Sequence, residues 1–251
     1  MPDQEPSDDV NSTKSRRSGL SGLLENVLRR FSVIGHLLFL LPIAICYIFC
    51  LTTAMAIALA SYDAVLSVLP ELIIVKALAI TLASLLFCFS LIFVVPLANL
   101  PWLLMMREYR GPWMSLGVYP WYAHNALVYL VRYTFLDFIT PSPLNILFYR
   151  LMGMKIGKGC MINTSNISDP CMIELDDFVT IGGSAFLMAH YGMKGFLIIE
   201  KLKIGRKSMV GLNAKILGAV TIGANVTIGP NATAYPKTDI PDGTKFGIDQ
   251  E

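Results

Sequence analysis

The sequence predicts an α+β membrane protein in which two transmembrane helices and a set of interfacial helices precede a parallel β-helix. Residues 31–60 contain no Asp, Glu, Lys or Arg, and residues 72–106 contain one charge, Lys76. A six-residue repeat in the second half predicts the β-helix. The 251 residues therefore divide into a disordered or amphipathic segment, a transmembrane hairpin, interfacial helices and a β-helix domain: 1–30, 31–110, 111–150 and 151–251.

The two apolar runs are each longer than the roughly 20 residues that a helix needs to cross a bilayer. Pro42 and Pro96 are the expected bends. Short flanking segments supply the orientation signal, since basic residues stay on the cytoplasmic side. Basic residues precede the first run and follow the second: Lys14, Arg16, Arg17, Arg29, Arg30, Arg107 and Arg110. The link between the runs has only Asp63 and Glu71, so we expect a multi-pass protein whose N-terminus and β-helix are cytoplasmic.

The segment 113–150 is rich in aromatic residues and is interrupted by Pro120 and Pro141. Aromatic side chains of this kind favour the headgroup level of a membrane, which predicts one or two short anchoring helices. A second interpretation stays open, in which the same side chains form a groove for the chain of a lipid. His36 and His124 belong to the anchoring interpretation and need no catalytic role.

The repeat is clearest between residues 204 and 232. Aliphatic residues recur every six positions, and glycine follows four of them: Ile204, Val210, Ile216, Ile222, Ile228, and Gly205, Gly211, Gly223, Gly229. This period fits neither an α-helix nor a strand, but three such hexads make one coil of a β-helix. We expect the aliphatic residues to fill the interior and the glycines to supply a backbone conformation that a Cβ would hinder.

The pattern is weaker upstream, with a slip of one residue near 168–171, and it stops between Met188 and Lys203. That interruption predicts a loop that leaves the coil, which is where solenoids commonly place function. The loop contains His190, the only histidine of the repeat region.

Three segments resemble the hexapeptide-repeat acyltransferases, a family with a left-handed β-helix. They are IGKGCMI at 156–162, LDDFVTIGGSAFLMAH at 175–190 and KIGRKSMVGLNAKILGAVTIGANVTIGPNA at 203–232. The resemblance implies left-handed winding, a homotrimer with sites between subunits, and acyl-CoA as co-substrate with no permanently bound cofactor. It also implies that His190 is the catalytic base, a role that suits a neutral imidazole.

A narrower resemblance lies at 145–170, NILFYRLMGMKIGKGCMINTSNISDP, together with the membrane domain before it. This part is similar to the C-terminal half of Pls-type proteins, which terminate non-ribosomal amino-acid polymers. Those proteins carry adenylation and carrier domains upstream, which this sequence does not contain. A free-standing membrane acyltransferase is therefore the simpler expectation.

The same resemblance assigns further site residues. Coenzyme A is expected on the regular coils at Gly211, Asn213, Ala214, Lys215 and Lys237, with phosphates near the basic cluster Lys201, Lys203, Arg206 and Lys207. Gly211 is the candidate oxyanion donor. The irregular corner of the repeat independently suggests acceptor contacts at Asn163, Asn166 and Asp169. The candidate carboxylates for orienting the imidazole are Asp169, Asp176, Asp177 and Glu200.

Three functions compete on these observations. The first is acyl transfer from acyl-CoA to a hydroxyl or amine of a lipid-linked or other membrane-borne acceptor. The second is Pls-like condensation or release of an aminoacyl thioester held by a carrier protein, and the third is a non-catalytic membrane scaffold. A net charge of +2 gives no reason to expect a nucleic-acid partner. No metal is expected, since the five cysteines lack metal-binding spacing and a three-histidine zinc site would need more than His190.

Overall fold

The computed structural model describes residues 19–113 and 115–248. The disorder predicted at the N-terminus therefore falls, for residues 1–18, outside the described residues. These described residues form five α-helices: α1 (Gly19–Arg30), α2 (Ser32–Val68), α3 (Ile73–Met105), α4 (Tyr119–Val131) and α5 (Pro143–Leu151). Helices α2 and α3 are long and apolar enough to cross a membrane, with mean hydropathies of 2.4 and 2.7 over Leu37–Val68 and Ile73–Met105.

Helices α2 and α3 form an antiparallel hairpin. Small buried side chains, Cys50, Ala54 and Ala79, allow close packing between long apolar helices. Pro42 lies inside α2, and Pro96 lies inside α3. At the turn of the hairpin, Lys76 Nζ lies 2.8 Å from a carboxylate oxygen of Glu71, and both side chains are exposed. The lone charge of the second run is therefore at the end of its helix.

Helix α4 fills the space between α3 and the β-helix. Its Leu127 and Val128 are buried, and the π-helical turn that continues it, Arg132–Leu136, packs Phe135 edge-on against Phe89 of α3. Helix α5 begins after Ser142, whose Oγ accepts a hydrogen bond from the Leu144 N–H at 3.1 Å and so caps the helix. The aromatic-rich segment thus forms a helical layer that joins the hairpin to the β-helix.

The C-terminal region consists of three parallel sheets, as the six-residue pattern predicts. The first contains β2 (Lys155–Ile156), β5 (Ile173–Leu175), β10 (Leu202–Ile204), β13 (Thr221–Ile222) and β16 (Asp239–Ile240). The second contains β3 (Met161–Ile162), β6 (Thr180–Ile181), β11 (Met209–Val210), β14 (Thr227–Ile228) and β17 (Lys245–Phe246). The third contains β4 (Ile167–Ser168), β7 (Phe186–Met188), β12 (Lys215–Ile216) and β15 (Thr233–Ala234).

The register of these sheets confirms the repeat. Ile204 aligns with Ile222 one coil later, and that residue aligns in turn with Ile240. All three are buried, so equivalent aliphatic side chains stack along the interior of the coil. A spacing of 18 residues between aligned positions gives three hexads in each coil.

The glycines serve a different purpose from the one the sequence suggested. A Cβ on Gly205 would lie 2.5 Å from the carbonyl carbon of Gly223, so glycine is needed because adjacent coils stack closely there. The left-handed backbone conformation falls two positions later, on Lys207, Asn213 and Ala219, whose φ values are 58°, 54° and 64°. Each corner does contain a residue with a special backbone conformation, but the glycines that follow the aliphatic positions are not those residues.

Two irregularities interrupt the coils. A 3₁₀ turn at Pro170–Met172 takes up the extra residue of the first coil. The excursion after β7 is an ordered hairpin of β8 (His190–Met193) and β9 (Phe196–Ile199), not an irregular loop. Strand β1 (Tyr109–Pro112), which follows the second membrane-length helix, pairs antiparallel with β9. The strand that follows the helical hairpin and the two strands of the excursion thus form one three-stranded sheet.

Candidate active site

His190 is the first residue of β8, at the point where the chain leaves the coil. Its partner in β9 is Ile199, which pairs in turn with Tyr109 of β1. Beneath it, a Cβ on Gly218 would lie 2.8 Å from the carbonyl carbon of Ala189 and 3.0 Å from the His190 nitrogen. The backbone of His190 is therefore fixed on both sides, while its side chain stays 20% exposed.

The imidazole of His190 is bound by a buried carboxylate. His190 Nδ1 lies 2.6 Å from Asp169 Oδ2, which also accepts a hydrogen bond from the Ala189 N–H at 2.8 Å. Asp169 is fully buried and adopts the left-handed conformation at φ 58°, where the slip in the repeat occurs. Since a carboxylate can only accept, this contact assigns the proton to Nδ1 and leaves Nε2 as a proton acceptor.

The other oxygen of Asp169 is held by helix α4. Trp121 Nε1 donates to Oδ1 at 2.6 Å, and Asn125 Nδ2 donates to the same oxygen at 2.5 Å. Asn125 Oδ1 in turn accepts from the Asp169 N–H at 2.9 Å. Burial alone would raise the pKa of Asp169, but the hydrogen bonds from His190, Asn125 and Trp121 outweigh it, so this pKa lies below its ordinary value. The site therefore contains a buried, ionised carboxylate.

Trp121 also positions the imidazole directly. Its ring meets the His190 ring edge-on with centroids 4.9 Å apart, and Trp113 packs edge-on against Trp121 at 6.2 Å. Such contacts fix the plane of an imidazole that a single hydrogen bond would leave free to rotate.

An apolar cavity of about 350 Å³ opens beside His190. Its walls come from α2, α4 and the imidazole: Leu40, Ile43, Tyr47, Trp121, Tyr122, Asn125, Ala126, Tyr129 and His190. Within this lining, Tyr47 donates to the Ala126 carbonyl at 2.6 Å, and Tyr129 OH lies 2.9 Å from Ser168 Oγ. The volume falls in the range of small-molecule sites. A substrate in the cavity would meet the imidazole at one end and the first membrane-length helix along one side.

His124 lies deeper, between α4 and α3. It is fully buried, and its Nδ1 is 3.0 Å from Asn99 Oδ1. Burial lowers the pKa of His124 to about 4, so this imidazole is neutral at neutral pH. The sequence gave it no catalytic role, and the structure places it inside the helical layer.

Of the residues expected to bind coenzyme A, Gly211, Asn213 and Ala214 precede β12, Lys215 begins it, and Lys237 lies between β15 and β16. Lys215 pairs with Phe186 of β7, four residues before His190, so this coil runs next to the site. Lys215 and Lys237 are exposed, and Asn213 Nδ2 donates to Asn231 Oδ1 of the next coil at 2.8 Å. Ala214 is different, because its side chain is buried in the interior.

Gly211 does not fit the oxyanion role that the sequence suggested. Its N–H donates to the Ile228 carbonyl of the next coil at 2.9 Å, so it is already occupied. Gly218 fits better, since it packs against the His190 backbone and its N–H makes no hydrogen bond within the described part of the chain.

Of the residues expected to contact the acceptor, Asn163 and Asn166 do not line the cavity. Asn163 is exposed, and the side chain of Asn166 accepts a hydrogen bond from Arg132. The enclosed carboxylate of Asp169 favours the orienting role that the sequence left open, over direct acceptor contact.

The other orienting candidates lie elsewhere. Asp177 Oδ1 accepts from the Lys158 N–H at 2.7 Å, Asp176 is exposed, and Glu200 has its backbone hydrogen-bonded to Ala189 at the base of the hairpin. In the basic cluster, Lys201 lies 3.6 Å from Glu174. All four members of that cluster are exposed, as a phosphate-binding surface requires.

Sequence reasoning missed Trp121 and Asn125. The available signal was their spacing of four residues, which places an indole N–H and an amide on one face of a helix. That signal does not say which element the face meets.

No protein-family model matches the chain, and no curated protein matches its sequence. Three solved structures illustrate the similarity that is found. A maltose O-acetyltransferase from Clostridium difficile 630 is 19% identical, with 55% of this chain and 87% of that chain covered and a TM-score of 0.41. A serine acetyltransferase from Neisseria gonorrhoeae is 18% identical, with coverages of 79% and 77% and a TM-score of 0.33. Serine acetyltransferase isoform 3 from Entamoeba histolytica is 15% identical, with coverages of 77% and 70% and a TM-score of 0.26. These values are too low to carry an activity over to this chain.

Proposed function

We propose that this chain is a membrane-anchored acyltransferase. It moves an acyl group, acetyl being the simplest, from acyl-CoA to a hydroxyl or amine of a membrane-borne acceptor. One observation carries the proposal: the His190–Asp169 pair faces an apolar cavity with a wall formed by α2. An imidazole with a buried carboxylate behind it is suited to proton transfer, and the helix behind the cavity is suited to a lipid.

In the reaction, His190 Nε2 takes the proton from the acceptor hydroxyl or amine as the oxygen or nitrogen attacks the thioester carbonyl. A C–O or C–N bond forms, and the carbonyl becomes a tetrahedral oxyanion. The intermediate then collapses, the C–S bond breaks, and the proton on Nε2 passes to the departing CoA thiolate. Asp169 keeps Nδ1 protonated and stabilises the imidazolium that forms between the two steps.

The oxyanion requires a donor close to the imidazole. We assign this role to the Gly218 N–H, because glycine lets its backbone approach Ala189 and His190. A backbone donor in this position would act on the charge that develops in the transition state.

The donor is acyl-CoA bound along the coils, with Asn213, Lys215 and Lys237 at its edge. The exposed lysines and the basic cluster suit its phosphates. The homotrimer implied by the sequence resemblance would place this edge against a neighbouring subunit. With the hairpin in the membrane and basic residues at both of its ends, the β-helix and the N-terminus would be cytoplasmic, where acyl-CoA is available.

The experiment measures release of free CoA by the full-length, detergent-purified protein. Acetyl-CoA and longer acyl-CoAs are supplied with and without a membrane extract from the host. We expect extract-dependent release, and a loss of at least 10²-fold in His190→Ala, since a general base contributes roughly 10² to 10⁴ in rate.

Tyr191→Phe is the matched control. Tyr191 is the next residue of β8, and its buried hydroxyl has no hydrogen-bond partner in the described structure. Its removal should leave release unchanged. Equal release by wild type and His190→Ala would exclude the proposed base. Absence of release from every acyl-CoA would instead favour a carrier-bound aminoacyl thioester or a scaffold.

A further inference from the structure

Arg132 is a cation that forms no ion pair with the described part of the chain. It follows α4 at the start of the π-helical turn and is partly buried. Its Nη2 donates to the neutral amide oxygen of Asn166, and its Nε is buried without a hydrogen-bond partner. Across residues 19–113 and 115–248, no carboxylate oxygen lies within 4.0 Å of its guanidinium.

The surroundings of Arg132 hold its guanidinium plane in place. Its Cζ lies 5.2 Å from the ring centroid of Tyr133 and 5.8 Å from that of Tyr129. Asp137, five residues later, has its carboxylate hydrogen-bonded by Ser165. Arg132 is therefore positioned by aromatic rings and an amide, which orient a guanidinium but form no ion pair with it.

A partly buried cation without an ion pair is costly, and a bound anion would offset that cost. The guanidinium fork matches the oxygens of a phosphate, and the common anions at a membrane surface are lipid phosphates. An anionic ligand would complete a set of donors that the protein itself leaves unfilled.

The position of Arg132 connects it to the active site. Tyr129, on which Arg132 stacks, is part of the cavity wall and is held by Ser168, the neighbour of Asp169. An anion on Arg132 would therefore sit at the rim of the cavity that contains His190. Leu37 and Leu41, on the same helix as the lining residue Leu40, are exposed for contact with a lipid chain.

We propose that Arg132 binds the phosphate of a membrane lipid whose apolar chain enters the cavity beside α2. Together with the proposed function, on which this step rests, the acceptor is a phosphate-bearing lipid with its reacting hydroxyl or amine at His190. The binding itself requires no catalysis, so it can be measured separately.

The experiment uses two probes with the same bromine-labelled acyl chain, lysophosphatidate and monoacylglycerol, which differ by the phosphate. Both are titrated into the full-length protein in detergent micelles, in a Trp102→Phe, Trp113→Phe background that leaves one tryptophan. Quenching of that tryptophan, Trp121, which lines the cavity, reports entry of the chain. We expect lysophosphatidate to bind at least tenfold more tightly than monoacylglycerol. Arg132→Gln should weaken the binding of lysophosphatidate by about 10- to 100-fold and leave the affinity for monoacylglycerol unchanged.

The controls separate this site from general electrostatics. Arg107→Gln removes an exposed arginine just after α3 and should change neither affinity. Arg132→Lys should recover part of the loss, because it keeps the charge without the fork. Tyr191→Phe, which lies outside the cavity lining, should bind both probes as wild type does. The titrations contain no acyl-CoA, so a failure of the proposed chemistry would not disturb this result.

Four outcomes of the titrations would overturn the inference. They are equal wild-type affinities for the two probes, an unchanged affinity in Arg132→Gln, an equal weakening of both probes with a lowered Tm, and a matching loss in Arg107→Gln. The third would make Arg132 a structural link to Asn166. Competition arms with glycerol 3-phosphate and free CoA identify the source of the phosphate. Displacement by either as effectively as by the lipid would also contradict a lipid site.

Discussion

Asp169→Asn tests the pairing at the centre of the site. The substitution keeps the shape of the side chain and removes its charge. All four groups that contact the carboxylate are donors, two on each oxygen, so an amide NH₂ must face a donor in either orientation. Asn125 could rotate its amide to accept, but it would then lose its bond from the residue 169 N–H. We expect a loss of about 1–3 kcal/mol in the free energy of unfolding from the unpaired buried donor.

The effect on rate should be larger than the effect on stability. The imidazolium that forms on His190 would lose a carboxylate 2.6 Å away, and Nδ1 would no longer be held as the donor. An orienting carboxylate of this kind is worth up to about 10⁴ in rate, so we expect kcat to fall by about 10²- to 10⁴-fold. The assay is the release of free CoA under saturating acyl-CoA, at a temperature where both proteins are folded.

The pH dependence provides an independent check. Since the pKa of Asp169 is lower in the folded protein than in the unfolded chain, the folded state binds fewer protons. Its contribution to stability is present above the unfolded pKa of about 3.9 and disappears as the pH falls through the folded pKa. The stability gap between wild type and Asp169→Asn should therefore narrow on acidification. The orienting role would be refuted if kcat of Asp169→Asn stayed within threefold of wild type, or if the difference in stability between the two proteins did not change with pH.

Three further substitutions test the surroundings. Trp121→Phe removes one charge-assisted hydrogen bond to the buried Asp169 carboxylate and should lower kcat by at least tenfold while preserving the fold. An unchanged kcat would show that the indole contributes packing alone. His124 has a pKa of about 4 in the folded protein, so it stays neutral there and becomes charged only on unfolding, which lowers the free energy of unfolding of wild type by roughly 3 kcal/mol between pH 6.5 and 4. His124→Gln should remove this loss of stability. An equal loss in both proteins, in unfolding measured across that range, would contradict this. Gly218→Ala would place a Cβ 3.0 Å from the His190 nitrogen and should lower kcat at least tenfold. Gly205→Ala should lower Tm by overpacking and leave kcat unchanged. Equal effects of the two substitutions on kcat would contradict a special role for Gly218.

The β-helix could be predicted because its interior residues are periodic along the chain. Ile204, Val210 and Ile216 belong to three different sheets and point into the interior of the coil, and each is aligned with its equivalent one coil later. The spacing of aliphatic residues along the chain therefore predicts the coil. The purpose of the glycines could not be predicted in this way, because close stacking and a left-handed corner both favour glycine, and a corner can also take Asn213 or Lys207.

The site was only partly predictable. His190 became a candidate because it lies where the regular pattern stops, at the position that the family resemblance gives to a base, and Asp169 because it lies at a slip in that pattern. Their joint arrangement depends on α4, whose Trp121 and Asn125 lie 48 and 44 residues before the carboxylate that they bind. No periodicity relates a helix to a coil that it packs against, so contacts of this kind can be found only in three dimensions.

The position of the candidate site ties the proposed chemistry to the helical half of the chain. Strand β1, directly after the second membrane-length helix, forms the edge of the sheet that contains His190. Helix α4 supplies two of the donors that keep Asp169 ionised, and α2 supplies one side of the cavity. A change in the hairpin would therefore alter the imidazole, its carboxylate and the substrate space together. This dependence favours an acceptor that arrives along the hairpin over a soluble one, because a soluble acceptor would need no such wall.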